Sequence, residues 1–134
     1  MPNTTIPDSF RDLLDAPVAS LTTIGKDGGP QATLLWFVHD PKDDKVKLSL
    51  NTDRVKTKNL LARPQVSLLI LDPASQFRFI DIRGTASTRV DTNYAFADAY
   101  VKPKYNADVR VHDGPQSTRL VVTIEPKSVY AVKI

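Results

Sequence analysis

The chain has 134 residues, 41% of them hydrophobic and 25% charged, enough for one domain with a real core and too apolar for a disordered segment. Its 18 Lys plus Arg against 15 Asp plus Glu leave a net charge of +3, which suits an anionic small molecule and falls short of the dense basic stripe that a nucleic acid needs. Cysteine is absent, which excludes disulfides, thiolate catalysis and cysteine-based metal sites, and the longest apolar runs, such as Val66 to Leu71, are too short to span a bilayer. The polar stretch Met1 to Asp8 lacks the apolar region of a signal peptide, so the expectation is a single cytoplasmic domain over residues 1–134.

In chain order, Phe10, Leu13 and Leu14 repeat with helical spacing, Pro7 suits a first turn and Pro17 stops it. Val18 to Ile24 reads as a strand, Gly25 to Gly29 as a hairpin turn, and Ala32 to Val38 as the second strand. After the polar turn Asp40 to Asp44, Lys45 to Asn51 alternates cleanly, as a half-buried strand does. Asp53 to Arg63 has helical character and is closed by Pro64. Val66 to Leu71 is an apolar strand, Asp72 to Ser75 a turn, and Phe77 to Val90 one long strand bent near Gly84. Asp91 to Val101 reads as a helix, Lys102 to Thr118 as a loop, Arg119 to Glu125 as a strand with Leu120, Val122 and Ile124 on one face, and Ser128 to Lys133 as a last short strand. No repeat or low-complexity tract interrupts the pattern. Hairpin-linked strands at this spacing predict a mainly β antiparallel barrel.

One segment breaks a local rule. In Asn51 to Leu61, Thr52 or Asp53 is placed to cap a helix, and Arg54, Lys56 and Lys58 then fall in its first turns. A helix N-terminus carries partial positive charge, so each cation there is disfavoured by roughly 0.3–1 kcal/mol. A bound anion reverses the sign: free backbone N–H groups, the dipole, an arginine fork and a lysine point charge all favour one phosphate. The alternative is a solvated basic face, and no glycine-rich phosphate loop decides between them.

Several elements together carry a resemblance. They are Thr23 with Asp27-Gly28-Gly29-Pro30; Leu34-Leu35-Trp36-Phe37; Arg54-Val55-Lys56-Thr57-Lys58-Asn59-Leu60; Pro64-Gln65-Val66-Ser67-Leu68; and Ile82-Arg83-Gly84-Thr85-Ala86. With them the chain resembles the pyridoxamine 5′-phosphate oxidase-like split-barrel proteins. It is most similar to their coenzyme F420-dependent reductase branch, common in actinobacteria. The resemblance implies a six-stranded antiparallel split β-barrel of the FMN-binding type, and a homodimer with the cofactor at the subunit interface. It also implies a hydride transfer from the reduced deazaflavin to a small conjugated substrate such as an enone or quinone.

The family's phosphate contacts carry over to Arg54 and Lys56, with Lys58 and Asn59 beside them. Thr33, Leu35 and Trp36 become ring neighbours, and Ser49, Leu50, Asn51 and Thr52 supply backbone and hydroxyl contacts. Arg83 matches the family pattern without an assigned role. The oxidase members carry an Arg-x-x-Leu-Leu-Lys pattern on the second strand, whereas Ala32 to Phe37 holds no cation. The resemblance therefore points away from pyridoxamine phosphate oxidation and towards F420, with FMN as the alternative cofactor. A non-catalytic carrier of flavin or haem is the rival from another class.

No catalytic residue stands out. His39 and His112 are the only histidines and read as exposed loop residues without metal-ligand spacing. Ser20, Ser49 and Ser67 lack a nucleophile elbow. Asp12, Asp15, Asp43 and Asp44 read as surface charges. Trp36 and Phe37, adjacent on a strand, are expected to face opposite sides, and Tyr94, Tyr100 and Tyr105 to pack a helix against the barrel. A proton for the reaction is left to solvent, a tyrosine or a serine.

Overall fold

The computed structural model describes residues 3–134; Met1 and Pro2, the start of the polar N-terminal stretch, lie outside the described residues. Seven strands form one antiparallel sheet: β1 (Ala19–Ile24), β2 (Pro30–Leu35), β3 (Val38–Asp40), β4 (Lys45–Asn51), β5 (Gln65–Asp72), β6 (Ser75–Val90) and β7 (Arg119–Lys133). Their spatial order is β2-β1-β5-β6-β7-β4-β3. The two outermost strands, β2 and β3, are one stretch of chain interrupted only at Trp36-Phe37. The sheet therefore closes on itself through this stretch, β2 pairing with β1 and β3 with β4.

The expected six strands become seven for this reason. The predicted strand Ala32 to Val38 is broken where Phe37 turns into the core, 1% exposed, while Trp36 turns out, 42% exposed. In the other direction, the two predicted C-terminal strands are one, β7, which runs through Pro126. Opposite that proline the register slips: Arg83 pairs Ser128 and Gly84 pairs Pro126, leaving Lys127 as the extra residue of a bulge. The strands approach so closely there that a Cβ on Gly84 would lie 1.9 Å from the Glu125 carbonyl oxygen. Gly84→Ala is thus expected to destabilise the fold by about 1–3 kcal/mol or more, read as a lowered midpoint in urea with an unchanged slope.

The interior is filled from alternate strand positions. Leu48 and Leu50 of β4 meet Leu120, Val122 and Ile124 of β7, with Leu21, Leu68, Ile70, Ile80 and Ile82 completing the barrel core. The opening helical segment, Asp8–Asp15, is a 3₁₀ helix that plugs one end with Leu13 and Leu14; Ala16, extended before Pro17, ends it.

The outer faces of β3 and β7 carry a second, smaller core. Val38 and Val121 are covered by Phe96, Ala97, Val101 and Val109, with Tyr94, Tyr100 and Tyr105 packed around them. This cover is less regular than the single predicted helix. It comprises a 3₁₀ turn at Thr92–Tyr94, a π-helical turn at Ala97–Val101, and a short α-helix, α2 (Lys102–Tyr105). Asp91 caps it, its carboxylate accepting the amides of Phe96 (2.8 Å) and Ala97 (3.0 Å). The predicted loop from Lys102 to Thr118 is helical at its start and holds a 3₁₀ turn at Val109–His112.

The helix after β4, α1 (Val55–Ala62), differs from expectation at its start. Its N-cap is Arg54, and no side chain caps it. Thr52 and Asp53 are engaged elsewhere: the Thr52 hydroxyl accepts the Thr118 amide (3.0 Å), and the Asp53 carboxylate accepts the Ser117 hydroxyl. The helix is held by Asn59, whose amide donates to Thr23 Oγ1 (3.1 Å) and Gln31 Oε1 (2.8 Å), and by Leu60 in the barrel core.

Candidate functional site

The end of β2, the end of β4, the start of α1 and the Val109–His112 turn surround a cleft of about 330 Å³. Its wall includes Leu34, Leu35, Trp36, Ser49, Leu50, Asn51, Arg54, Lys56, Val109, His112 and Arg119. The size is that of an ordinary small-molecule site, and the lining mixes apolar surface with a few convergent polar groups.

Seven of the residues singled out from the sequence meet here: Leu35, Trp36, Ser49, Leu50, Asn51, Arg54 and Lys56. Four do not line it. Thr33 sits in β2 opposite Leu21, Thr52 holds Thr118, Asn59 holds the β1–β2 hairpin, and Lys58 is exposed one helical turn beyond Arg54. Arg83 is also elsewhere, paired with Asp81 (2.8 Å) and lying 4.4 Å from the Tyr130 ring centre.

Trp36 is set rigidly. Tyr105 stacks on it with ring centres 4.3 Å apart and planes within 7°. The Tyr105 hydroxyl donates to carbonyls of Pro17 or Phe37, both at 2.9 Å, and accepts the Phe37 amide at 3.1 Å. The Lys104 ammonium donates to the Phe37 carbonyl (2.9 Å) and the Leu14 carbonyl (3.2 Å) and lies 3.8 Å from the Phe37 ring centre. Burial lowers its pKa to about 8. The break between β2 and β3 is thus pinned from α2, and the stacked indole is presented to the cleft.

The floor is a buried polar network. Arg119, with a side chain 7% exposed, clamps Asp113, 4% exposed. The guanidinium also donates to the carbonyls of Ser49 (3.2 Å) and Val109 (3.2 Å). Asn51 donates to Asp113 Oδ1 (2.9 Å) and to the His112 carbonyl (3.3 Å), and the Tyr94 hydroxyl donates to Asp113 Oδ2 (2.9 Å). Burial pushes the Asp113 carboxyl up, but the bonds from Arg119, Asn51 and Tyr94 outweigh it and hold the group below the usual carboxylate range. Both Asn93 and Tyr94 sit in the left-handed region, at φ 56° and 58°, a strained pairing that the Tyr94–Asp113 bond helps to hold.

Two features of the cleft are unsatisfied. Ser49 Oγ is buried without a partner among the described residues, a state that costs about 1–3 kcal/mol for a typical hydroxyl. Lys56, half-buried, is pushed below its ordinary pKa by burial and then by the charge of Arg54. An anion beside Arg54 and Lys56 and a polar atom near Ser49 relieve both. The donor set therefore fits a phosphate-bearing, flat, heteroatom-rich cofactor, with cations for the phosphate and Trp36 and Leu34 for a ring; Leu35, expected as a ring neighbour, turns its side chain into the barrel core.

His112, Val109, Leu34 and Arg119 were not singled out as cleft residues from the sequence. His112, a loop histidine by its sequence context, stands in the wall. His39 is a strand residue, and its ring lies 2.6 Å from Asp44 Oδ1.

The sequence model described as Pyridoxamine 5'-phosphate oxidase matches residues 6–133, so the chain belongs to that family. Its fold is that of solved split-barrel proteins. An F420 reductase shares 24% identity, with 93% of this chain and 98% of the other covered at a TM-score of 0.79. A conserved hypothetical protein from Mycobacterium tuberculosis shares 21% identity, with 97% and 86% covered at 0.76. HutZ, the haem storage protein from Vibrio cholerae, shares 14% identity, with 96% and 95% covered at 0.74. No curated protein matches the sequence. No helix among the described residues is long and apolar enough to cross a membrane.

Proposed function

We propose that the protein is an F420-dependent oxidoreductase acting on small conjugated organic compounds. One observation carries the reading: Arg54 and Lys56, at an uncapped helix start, share a cleft with the fixed indole of Trp36 and the unpartnered hydroxyl of Ser49. The reduced deazaflavin, when bound, supplies a hydride. The chain binds and orients. Arg54 forms the fork for the phosphate and Lys56 the point charge beside it, while Lys58, exposed further along α1, steers an acidic tail. Trp36 and Leu34 flank the ring, and Ser49 Oγ bonds a heteroatom of ring or substrate. FMN, the alternative cofactor, presents the same phosphate and ring chemistry.

A second copy of the chain completes the site in this reading. Val18, Leu34, Leu69 and Leu71 form an exposed apolar groove with Pro17 and Pro73, and Leu34 belongs to both that groove and the cleft. A partner seated on the groove walls the open side of the cleft. Leu34→Asp is expected to give a monomer by analytical ultracentrifugation, with weakened cofactor binding; a wild-type monomer would overturn the dimer.

Trp36 is the only tryptophan, so its fluorescence reports the cleft directly. Protein made in a host lacking F420 should show saturable quenching on titration with F420 and should then reduce an enone. A haem carrier is the second reading, favoured by the His112 imidazole in the same wall as two cations suited to propionates. Tight haem binding with a Soret band, no F420 binding and no turnover would establish it and end the oxidoreductase reading.

A further inference from the structure

We propose that His112 is the catalytic acid of this cleft, delivering a proton to the substrate carbon next to the one that receives the hydride. The inference rests on the oxidoreductase reading above. Among the eleven residues of the wall there is no carboxylate and no tyrosine. The charged groups facing His112 are Arg54 and Lys56 from the start of α1 and Arg119 from β7, with Asp113 beside it on its own segment. The first two are committed to the phosphate. Arg119 is tied to Asp113 and to two carbonyls, and Asp113 to Arg119, Asn51 and Tyr94. The Tyr94 hydroxyl is tied to Asp113 beneath the cleft, and the Tyr105 hydroxyl to the Pro17 and Phe37 carbonyls. Beside the weakly acidic hydroxyl of Ser49, the imidazole of His112 is the wall's remaining proton-transferring group.

The protein also spends an unusual amount of buried polar structure on placing it. Asn51 bonds the His112 carbonyl, Arg119 bonds the Val109 carbonyl, and the Asp113 amide closes on the Arg110 carbonyl at 3.1 Å. Two points of the Val109–Asp113 turn are thereby fixed to the barrel and a third bond closes the turn on itself, while the His112 side chain stays exposed in the cleft. A network that locks the backbone and leaves the ring free is the support a proton-transferring residue needs.

With an enone, hydride addition at the β-carbon moves the C=C pair towards the carbonyl as an enolate. The imidazolium of His112 gives its proton to the α-carbon, forming the second C–H bond, and regains a proton from solvent. The reduced deazaflavin is the two-electron donor and the alkene carbons are reduced.

The test uses full-length protein loaded with F420, wild type and His112→Gln. The ring C–H signals absent from the spectrum of His112→Gln identify His112, and in wild type they should shift when F420 is added. The variant should quench Trp36 fluorescence with F420 as wild type does, lose about 10²–10⁴-fold in kcat, and lose the alkaline limb of its pH profile, where a catalytic acid is deprotonated. In D2O with an α-methyl cyclic enone, wild type should deuterate one face of the α-carbon and the variant both. An unchanged kcat, unchanged face selectivity, ring signals that ignore F420, or F420 binding without reduction of any enone would overturn the role of His112. Absence of F420 binding by wild type would instead remove the reading beneath it.

Discussion

Replacing Arg54 and Lys56 together by alanine is expected to weaken F420 binding by about 3–6 kcal/mol, since hydrogen bonds to charged groups are each worth ~1.5–3 kcal/mol. That is roughly 10²–10⁴-fold in Kd. Folding should be unharmed or slightly improved. Arg54 is the N-cap of α1 and Lys56 lies in its first turn, with no acidic residue there and no capping side chain. Both cations stand against the helix dipole, and burial together with Arg54 already disfavours the charge on Lys56. Lys58→Ala, removed by one turn and exposed, should cost far less and mainly reduce the salt dependence of association. Trp36 quenching gives the affinities and a thermal melt the stabilities. Unchanged affinity in the double variant would dismiss Arg54 and Lys56 as the phosphate anchor.

What could be seen in the sequence was what short-range rules govern. The alternation of Lys45 to Asn51 marks β4, with Leu48 and Leu50 inside, although Lys47 and Asn51 on its other face are buried as well; Gly84 marks the bend of β6 because a Cβ has no room against Glu125. The clustering of Arg54 and Lys56 at a helix start was legible for the same reason, as a local electrostatic anomaly.

The unreadable features depend on distant partners. Nothing within Ala32 to Val38 signals the break at Trp36-Phe37, which is pinned by Lys104 and Tyr105, 67 and 68 residues away. Thr52 and Asp53 look like caps by type, yet they bond Thr118 and Ser117 instead. Pro126 reads as a strand terminator, but the bulge opposite Gly84 takes it in. His112 and Arg119 enter the cleft only because Asn51, 61 residues before His112, bonds its carbonyl and because β7 pairs with β4. A loop histidine and an arginine opening a strand carry no spacing that announces this.

Arg119→Leu is expected to destabilise the protein by about 3–5 kcal/mol, because it leaves Asp113 as a buried carboxylate without its cation. For a domain of this size the melting temperature should fall by roughly 10–20 °C. The carbonyls of Ser49 and Val109 lose their donor at the same time, so the cleft floor and the Val109–His112 turn should loosen together. Pairing the change with Asp113→Asn should recover much of the loss, since removing both charges leaves no ion stranded. The pH dependence separates this from a packing defect. In wild type the Asp113 pKa is lowered, so its contribution is present above the unfolded value near ~3.9 and drains away as pH falls through the folded value. Without Arg119, burial dominates and raises the Asp113 pKa, so the variant loses stability as pH rises instead. The gap between wild type and Arg119→Leu in urea titrations should therefore narrow as pH falls below about 4–5, whereas a cavity left by the missing side chain would cost the same at every pH. A gap independent of pH would mean that the Arg119–Asp113 charge pair is not what holds the floor of the cleft.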